Sequence, residues 1–127
     1  MSLSAYARNG LVNTLLRNTP MVVSVFAASL HDGDPLIEGG SAAATLIDTS
    51  TERAPITSSS SSGGAASNTG DPASWDIEES TTITHIGLHD ALSSGNWLGR
   101  EPVTQPVQVA DGDVVRLTTF TVTMPES

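Results

Sequence analysis

Cysteine and lysine are both absent from these 127 residues. Without cysteine there is no disulfide, no zinc–thiolate centre and no thiol nucleophile, so the fold must hold by packing or by association. Without lysine the five cationic residues are all arginine, set against 14 acidic residues for a net charge of −9. A surface of that sign repels phosphate backbones, which argues against nucleic acid as a partner. Aromatics make up only 4% and hydrophobic residues 38%. Ser, Thr, Gly and Ala fill much of the remainder, a mixture that favours short strands and turns over long helices. No apolar run approaches the ~20 residues that span a bilayer, so no membrane partner is expected. The opening MSLSAYARNG lacks the basic-then-apolar order of a signal peptide. A protein made and used inside a cell, or released by lysis, is the expectation.

What is present reads as one β-rich domain with a helix before it. Ser4 is a natural N-cap, Ala7, Leu11 and Leu15 form one stripe flanked by Val12 and Leu16, and Pro20 marks a stop; together they predict a helix over about residues 4–17. The apolar stripe either caps this domain's own core or docks on a neighbouring subunit; on the second reading residues 1–20 form a helical segment for docking or oligomer contact, with Leu11 and Leu15 as candidate partner-binding residues. Residues 21–127 form the β-domain. Within it, Met21–Leu30 reads as a strand buried on both faces, and Ala42–Asp48 as a second. Arg53–Thr57 is a third, placed at an edge by Pro55. Residues 58–70, SSSSSGGAASNTG, are a low-complexity loop or the long tip of a hairpin. Further strands are expected at Ser74–Ile77, Thr81–His89, Asn96–Gly99, Val103–Val109 and Val114–Met124, with Asp111-Gly112 as a hairpin turn. Short strands separated by Gly and Asp turns indicate a mainly β fold, an antiparallel sandwich or barrel-like domain with one N-terminal α-helix.

Motifs for catalysis are scarce. There is no Gly-x-Ser-x-Gly elbow, phosphate loop or dinucleotide fingerprint, so no enzyme and no cofactor is expected. His85 and His89 have the spacing of a helical metal pair. Their segment is rich in Thr and Ile, and on a strand four residues span ~13 Å, too far to share an ion. Asp32-Gly33-Asp34 and Asp111-Gly112-Asp113 resemble fragments of calcium loops but lack the remaining ligands; turn chemistry explains both. No metal site is expected. Asp76, Glu78 and Glu79 cluster in sequence, yet nothing pairs two of them for acid–base work. Trp75 and Trp97 are the remaining partner-binding candidates, as interface anchors or as rings for stacking on a sugar, with the core as the alternative.

The order of segments also carries a resemblance. LSAYARNGLVNTLL is followed by VVSVFAASLHDGDP, IEGGSAAATL, GGAASNTGDPASWDI, TTITHIGLHDALSSGNWLG and VQVADGDVVRLTTFTVTM. This order resembles a family of short bacteriophage virion proteins described as minor capsid, decoration or tail fibre proteins. The most specific part is Ile83–Leu88 with Asp90-Ala91 and Gly95-Asn96. The sequence departs from the pattern at Ser41-Ala42-Ala43, where Tyr-Ala-Arg often stands, and at His89, where an aromatic often follows Gly-Leu. The resemblance implies a virion structural protein assembled in the host cytoplasm, with no catalytic residue to carry over. The chain has neither shaft heptads nor collagen-like repeats. A capsid decoration or minor capsid protein that binds the major capsid protein in many copies is therefore the first expectation. A tail-associated fibre or adhesin module that binds tail proteins and host glycans is the alternative. A homo-oligomer is expected in either case, a trimer being one form that removes strand edges.

Overall fold

The computed structural model describes residues 2–60, 62–63, 65–118 and 120–123. Ser4 caps α1 (Ala5–Arg17), its side chain accepting from the Ala7 backbone N–H. Arg17 sits in the last turn, where a cation offsets the helix dipole, and Asn18 ends the helix in the left-handed conformation. The segment before the helix is not separate from the β-domain. Ser2–Leu3 form β1, which pairs with Gly99 and Arg100, and Ala7 reaches the core.

The main sheet has five strands in the order β1, β7 (Trp97–Val109), β6 (Thr81–His89), β2 (Ala27–His31) and β3 (Ala54–Pro55). Its pairings are antiparallel. Two ribbons complete the domain: β4 (Ala65–Ser67) with β9 (Thr121–Thr123), and β5 (Ala73–Asp76) with β8 (Val114–Leu117). Ala28, Leu30, Ile86 and Leu88 of the sheet share one core with Trp75 and Ile77. Phe120 joins them and packs on Phe26 with ring centroids 5.9 Å apart. Full burial of side chains of this size contributes about 1.5–3 kcal/mol each. The fold is mainly β and antiparallel with an N-terminal helix, as the sequence implies.

Several boundaries differ from the sequence expectation. The strand expected at Met21–Leu30 begins only at Ala27. Ala27 pairs with His89, the last residue of β6, and Asp90 turns away while its carbonyl accepts from Val25 N–H. Among the described residues no strand pairs with Met21–Phe26, and Val22 is 78% exposed. The strand expected at Ala42–Asp48 is instead a short helix, α2 (Ala42–Thr45), followed by one bridge between Leu46 and His31. Three alanines favour helix, and the Thr45 hydroxyl bonds back to Ser41 O. Asn96–Gly99 and Val103–Val109 are not two strands; nearly all of both lies in the single strand β7. Pro102 and Pro106 lie on an edge strand: β1 pairs with Gly99 and Arg100, and among the described residues no strand pairs with the rest of that edge. The Asp111-Gly112 turn exists but joins no hairpin. Gly112 N–H bonds Ile77 O and Ile77 N–H bonds Asp113 O, which steers the chain to β5. The final expected strand divides into β8 and β9, and its end at Met124 lies outside the described residues. Residues 58–70 contain β4 and a bridge from Ser58 to Asn68, so part of the low-complexity loop is sheet.

Candidate functional site

Two places stand out, and the first is the surface of α1. Leu11 and Leu15, singled out in the sequence, are 45% and 82% exposed, and Leu16 is 73% exposed. Val22 and Val23 continue the same uncovered apolar stretch. Of the stripe, only Ala7 reaches this chain's core, and Leu11 and Leu15 do not cap it. The charge is segregated in the same way. Residues 1–31 contain Arg8 and Arg17 and no acid. Residues 32–127 carry all 14 acidic residues and three arginines, which places the whole negative excess outside the helix and β2. At its other end the helix is tied down. Ala5 N–H donates to Glu38 at 3.0 and 3.1 Å, and Arg8 lies 3.8 Å from the same carboxylate.

The second place is the sheet face opposite the core. Alternation along β2 puts Ala28 and Leu30 inward, and Ser29 and His31 outward. Along β6 it puts His85, Gly87 and His89 on that same outer face, opposite His31, Ser29 and Ala27. Trp97 pairs with His89, and its ring meets His31 and His89 edge-on at centroid distances of 5.8 and 5.0 Å. The segment after β2 covers the cluster, and Trp97 Nε1–H donates to Ile37 O at 3.0 Å. Gly87 makes this packing possible. A Cβ there would lie 2.5 Å from Trp97, 2.7 Å from His31 Nε2 and 2.8 Å from Ser29 Oγ.

Hydrogen bonds fix the polarity of the cluster. The Thr45 hydroxyl donates to Ser41 O at 3.0 Å, so it accepts from His31 Nδ1–H at 3.0 Å. His31 Nε2 then accepts from Ser29 Oγ–H at 2.7 Å. Ser29 Oγ in turn accepts from His89 Nε2–H at 2.8 Å. These tautomers follow from the network. Both imidazoles are neutral in this arrangement. Burial, with His85 nearby, lowers the His31 pKa to about 4. Burial, with Arg53 and His31 nearby and opposed by Asp90, lowers that of His89 to about 4. A Ser–His–Thr relay has the outline of an activated nucleophile. However, Ser29 is 1% exposed, and a base of so low a pKa is far from the near-neutral value that general-base catalysis uses.

Beside the cluster opens a cleft of about 480 Å³, reaching Ser29, His31, His89 and Trp97. One wall is the loop 91–96. Asp90 holds it by accepting from Asn96 N–H at 2.7 Å and Asn96 Nδ2 at 3.0 Å. Arg53 Nη1 donates to Ala91 O at 3.0 Å and Ser94 O at 2.7 Å. Gly95 completes the turn at φ +75°, where a Cβ would stand 2.4 Å from Asp90 Oδ1.

The other candidates have plain structural roles. Trp75 is 1% exposed and belongs to the core rather than to a binding surface. Trp97 is half-buried at the cleft. His85 and His89 do lie on a strand, and among the described residues no three His, Asp or Glu side chains converge on a metal geometry. Asp34 accepts from Leu36 N–H at 2.8 Å and pairs with Arg100, which holds its carboxyl below the usual range. Asp113 Oδ2 accepts from Ala110 N–H at 2.8 Å. Both acidic turns are thus engaged in turn contacts. Sequence reading missed Ser29, His31, Thr45 and Arg53. The alternation of Ser29 and His31 with Ala28 and Leu30 was the available signal.

The class is a mainly antiparallel β-domain carrying an uncovered apolar helix. Comparison gives the family: the model for Podophage GP4 fiber I protein gp80 matches residues 2–125, and the chain belongs to that family. It is a bacteriophage virion structural protein of a fibre family. No curated protein matches it.

Proposed function

We propose that the chain is a non-catalytic subunit of the fibre apparatus on the phage tail, and that it assembles with copies of itself through the exposed face of α1 and the segment up to Val23. The observation that carries this reading is the uncovered run of Leu11, Leu15, Leu16 and Val22, from 45% to 82% exposed. Side chains of this kind gain about 1.5–3 kcal/mol each on full burial. The charge segregation favours an acidic acceptor for an arm whose only charges are two arginines, and the body of a second copy is such a surface. The family description names a fibre, which favours the tail over the capsid-decoration role that the sequence first suggested.

The test is the double substitution Leu15→Glu with Leu16→Glu. Both side chains are exposed, so the monomer should keep its stability to within about 0.5 kcal/mol. The expected outcome is loss of the oligomer in light scattering and loss of the chain from purified virions. Normal oligomer mass and normal incorporation of the variant would refute the reading. Deleting residues 1–19 is a poorer test, because it also removes β1 and Ala7 from the fold.

A further inference from the structure

We propose that the exposed face of α1 docks, in a second copy of this chain, into the groove between β3 and β5, with Leu15 and Leu16 in the groove and Arg17 beside Asp71. This inference rests on the self-assembly proposed above and names the surface that receives the arm.

The groove holds about 640 Å³, more than the 480 Å³ of the cleft beside the histidines. Small side chains make the room. Ala54 of β3 and Ala73 of β5 are buried and stop at a methyl group, so the two strands leave a hollow between them. Pro55 and Pro72 add apolar walls that carry no N–H. Leu92 also borders the groove, a large apolar side chain outside the arm that is left 49% exposed. The loop that carries it is held in place, because Arg53 Nη1 donates to Ala91 O and Ser94 O. Thr57, on the same groove, accepts from Thr69 N–H at 2.9 Å and so anchors the approach to Gly70 and Asp71. The groove thus exists before a partner arrives, and little ordering cost falls on docking.

Two features select the occupant. The first is the backbone of β3. Ile56 N–H donates to Phe26 O at 2.7 Å, towards β2, so alternation turns Pro55 to the free edge. With no N–H at that point the edge resists an added strand, and the groove suits side chains presented by a helix. Leu15 and Leu16 are the most exposed apolar residues of α1, at 82% and 73%. The second feature is charge. Arg17 in the last turn of α1 and Asp71 on the groove are both exposed, and neither has an ion-pair partner among the described residues. Docking pairs them. Packing the α1 helices of two copies side by side would instead bring together arms whose only charges are Arg8 and Arg17. Arm and groove are different patches, so each copy gives one arm and receives one, and the interface runs head to tail.

The chain has no cysteine, so single cysteines can report which surfaces meet. Full-length chains carrying Leu15→Cys or Leu92→Cys are purified separately, mixed in equal amounts and mildly oxidised. The expected result is a mixed disulfide-linked dimer exceeding either homodimer at least about fivefold, since a disulfide forms only where the two residues lie close. In sedimentation velocity, Leu92→Glu should weaken association at least about tenfold. Asp71→Arg should weaken it about fivefold, and adding Arg17→Asp should restore it. These positions are exposed, and unchanged urea midpoints show that the variants are folded. An excess of the Leu15→Cys homodimer would overturn the proposal in favour of helix-on-helix packing. If Leu15→Glu with Leu16→Glu abolishes the oligomer while Leu92→Glu and Asp71→Arg leave it intact, this groove is refuted as the acceptor and self-assembly through α1 stands. A wild-type chain that stays monomeric, or an oligomer that Leu15→Glu with Leu16→Glu leaves intact, refutes both.

Discussion

Lowering the pH from 7 to 5 should destabilise this protein through His31 and His89, and the window can be worked out from the structure. Both histidines have folded pKa values lowered to about 4 from an ordinary 6.5. The unfolded chain therefore binds protons first. Stability is intact above pH 6.5, falls as the pH drops below it, and stops falling through these groups near pH 4. Each pH unit within that window costs about 1.4 kcal/mol per histidine. Between pH 6.5 and 5.0 one histidine costs about 2 kcal/mol, or ~1 M in the urea midpoint at a slope of ~2 kcal/mol per M. The two share the Ser29 hydroxyl and act on each other, so the pair should titrate as a unit with a slope between one and two protons. The charged and titratable groups facing them are His85 beside His31, and Arg53 and Asp90 beside His89. Asp34 is held below its ordinary range by the hydrogen bond from Arg100 and so does not titrate within this window. Urea unfolding at several pH values supplies the slope, and histidine ring signals supply the pKa values. The double variant His31→Gln with His89→Gln should flatten the slope. A flat stability profile from pH 6.5 to 5.0, or ring titrations near 6.5 for both residues, would refute the reasoning.

Two further outcomes test the same cluster. Ser29→Ala removes the hydroxyl that serves both rings and leaves His31 Nε2 and His89 Nε2–H without partners. The loss should be about 1–3 kcal/mol by urea unfolding, and a change under 0.5 kcal/mol would mean the network contributes little. Gly87→Ala places a methyl 2.5–2.8 Å from Trp97, His31 and Ser29. It should cost about 1–3 kcal/mol and change the near-UV circular dichroism of Trp97, whereas an unchanged spectrum would show that the cleft floor yields without strain.

Local patterns were legible where local physics decides the outcome. The Ser4 cap, the apolar stripe and Arg17 placed α1 almost to the residue. The alternation through TTITHIGLH placed β6 and kept His85 and His89 from being read as a helical metal pair. Boundaries went astray where a partner strand decides them. Met21–Phe26 is apolar enough for a strand, yet β6 ends opposite Ala27. Ala42–Thr45 shows the opposite case, since the helical preference of three alanines prevails where only Leu46 meets a strand.

By itself the sequence determined the absence of thiol chemistry, the acidic surface, the capped N-terminal helix and the β-rich class, because each follows from residue type or from spacing along the chain. Only the tertiary structure decided which apolar surfaces are covered. Trp75 is in the core while Leu15 is bare, although both are large apolar side chains. It also decided that Ser29, His31, His89, Trp97 and Arg53 meet at one cleft. Strand pairing sets that meeting: the antiparallel register of β2, β6 and β7 brings residues up to 68 positions apart onto one face. No spacing along a single strand carries that information.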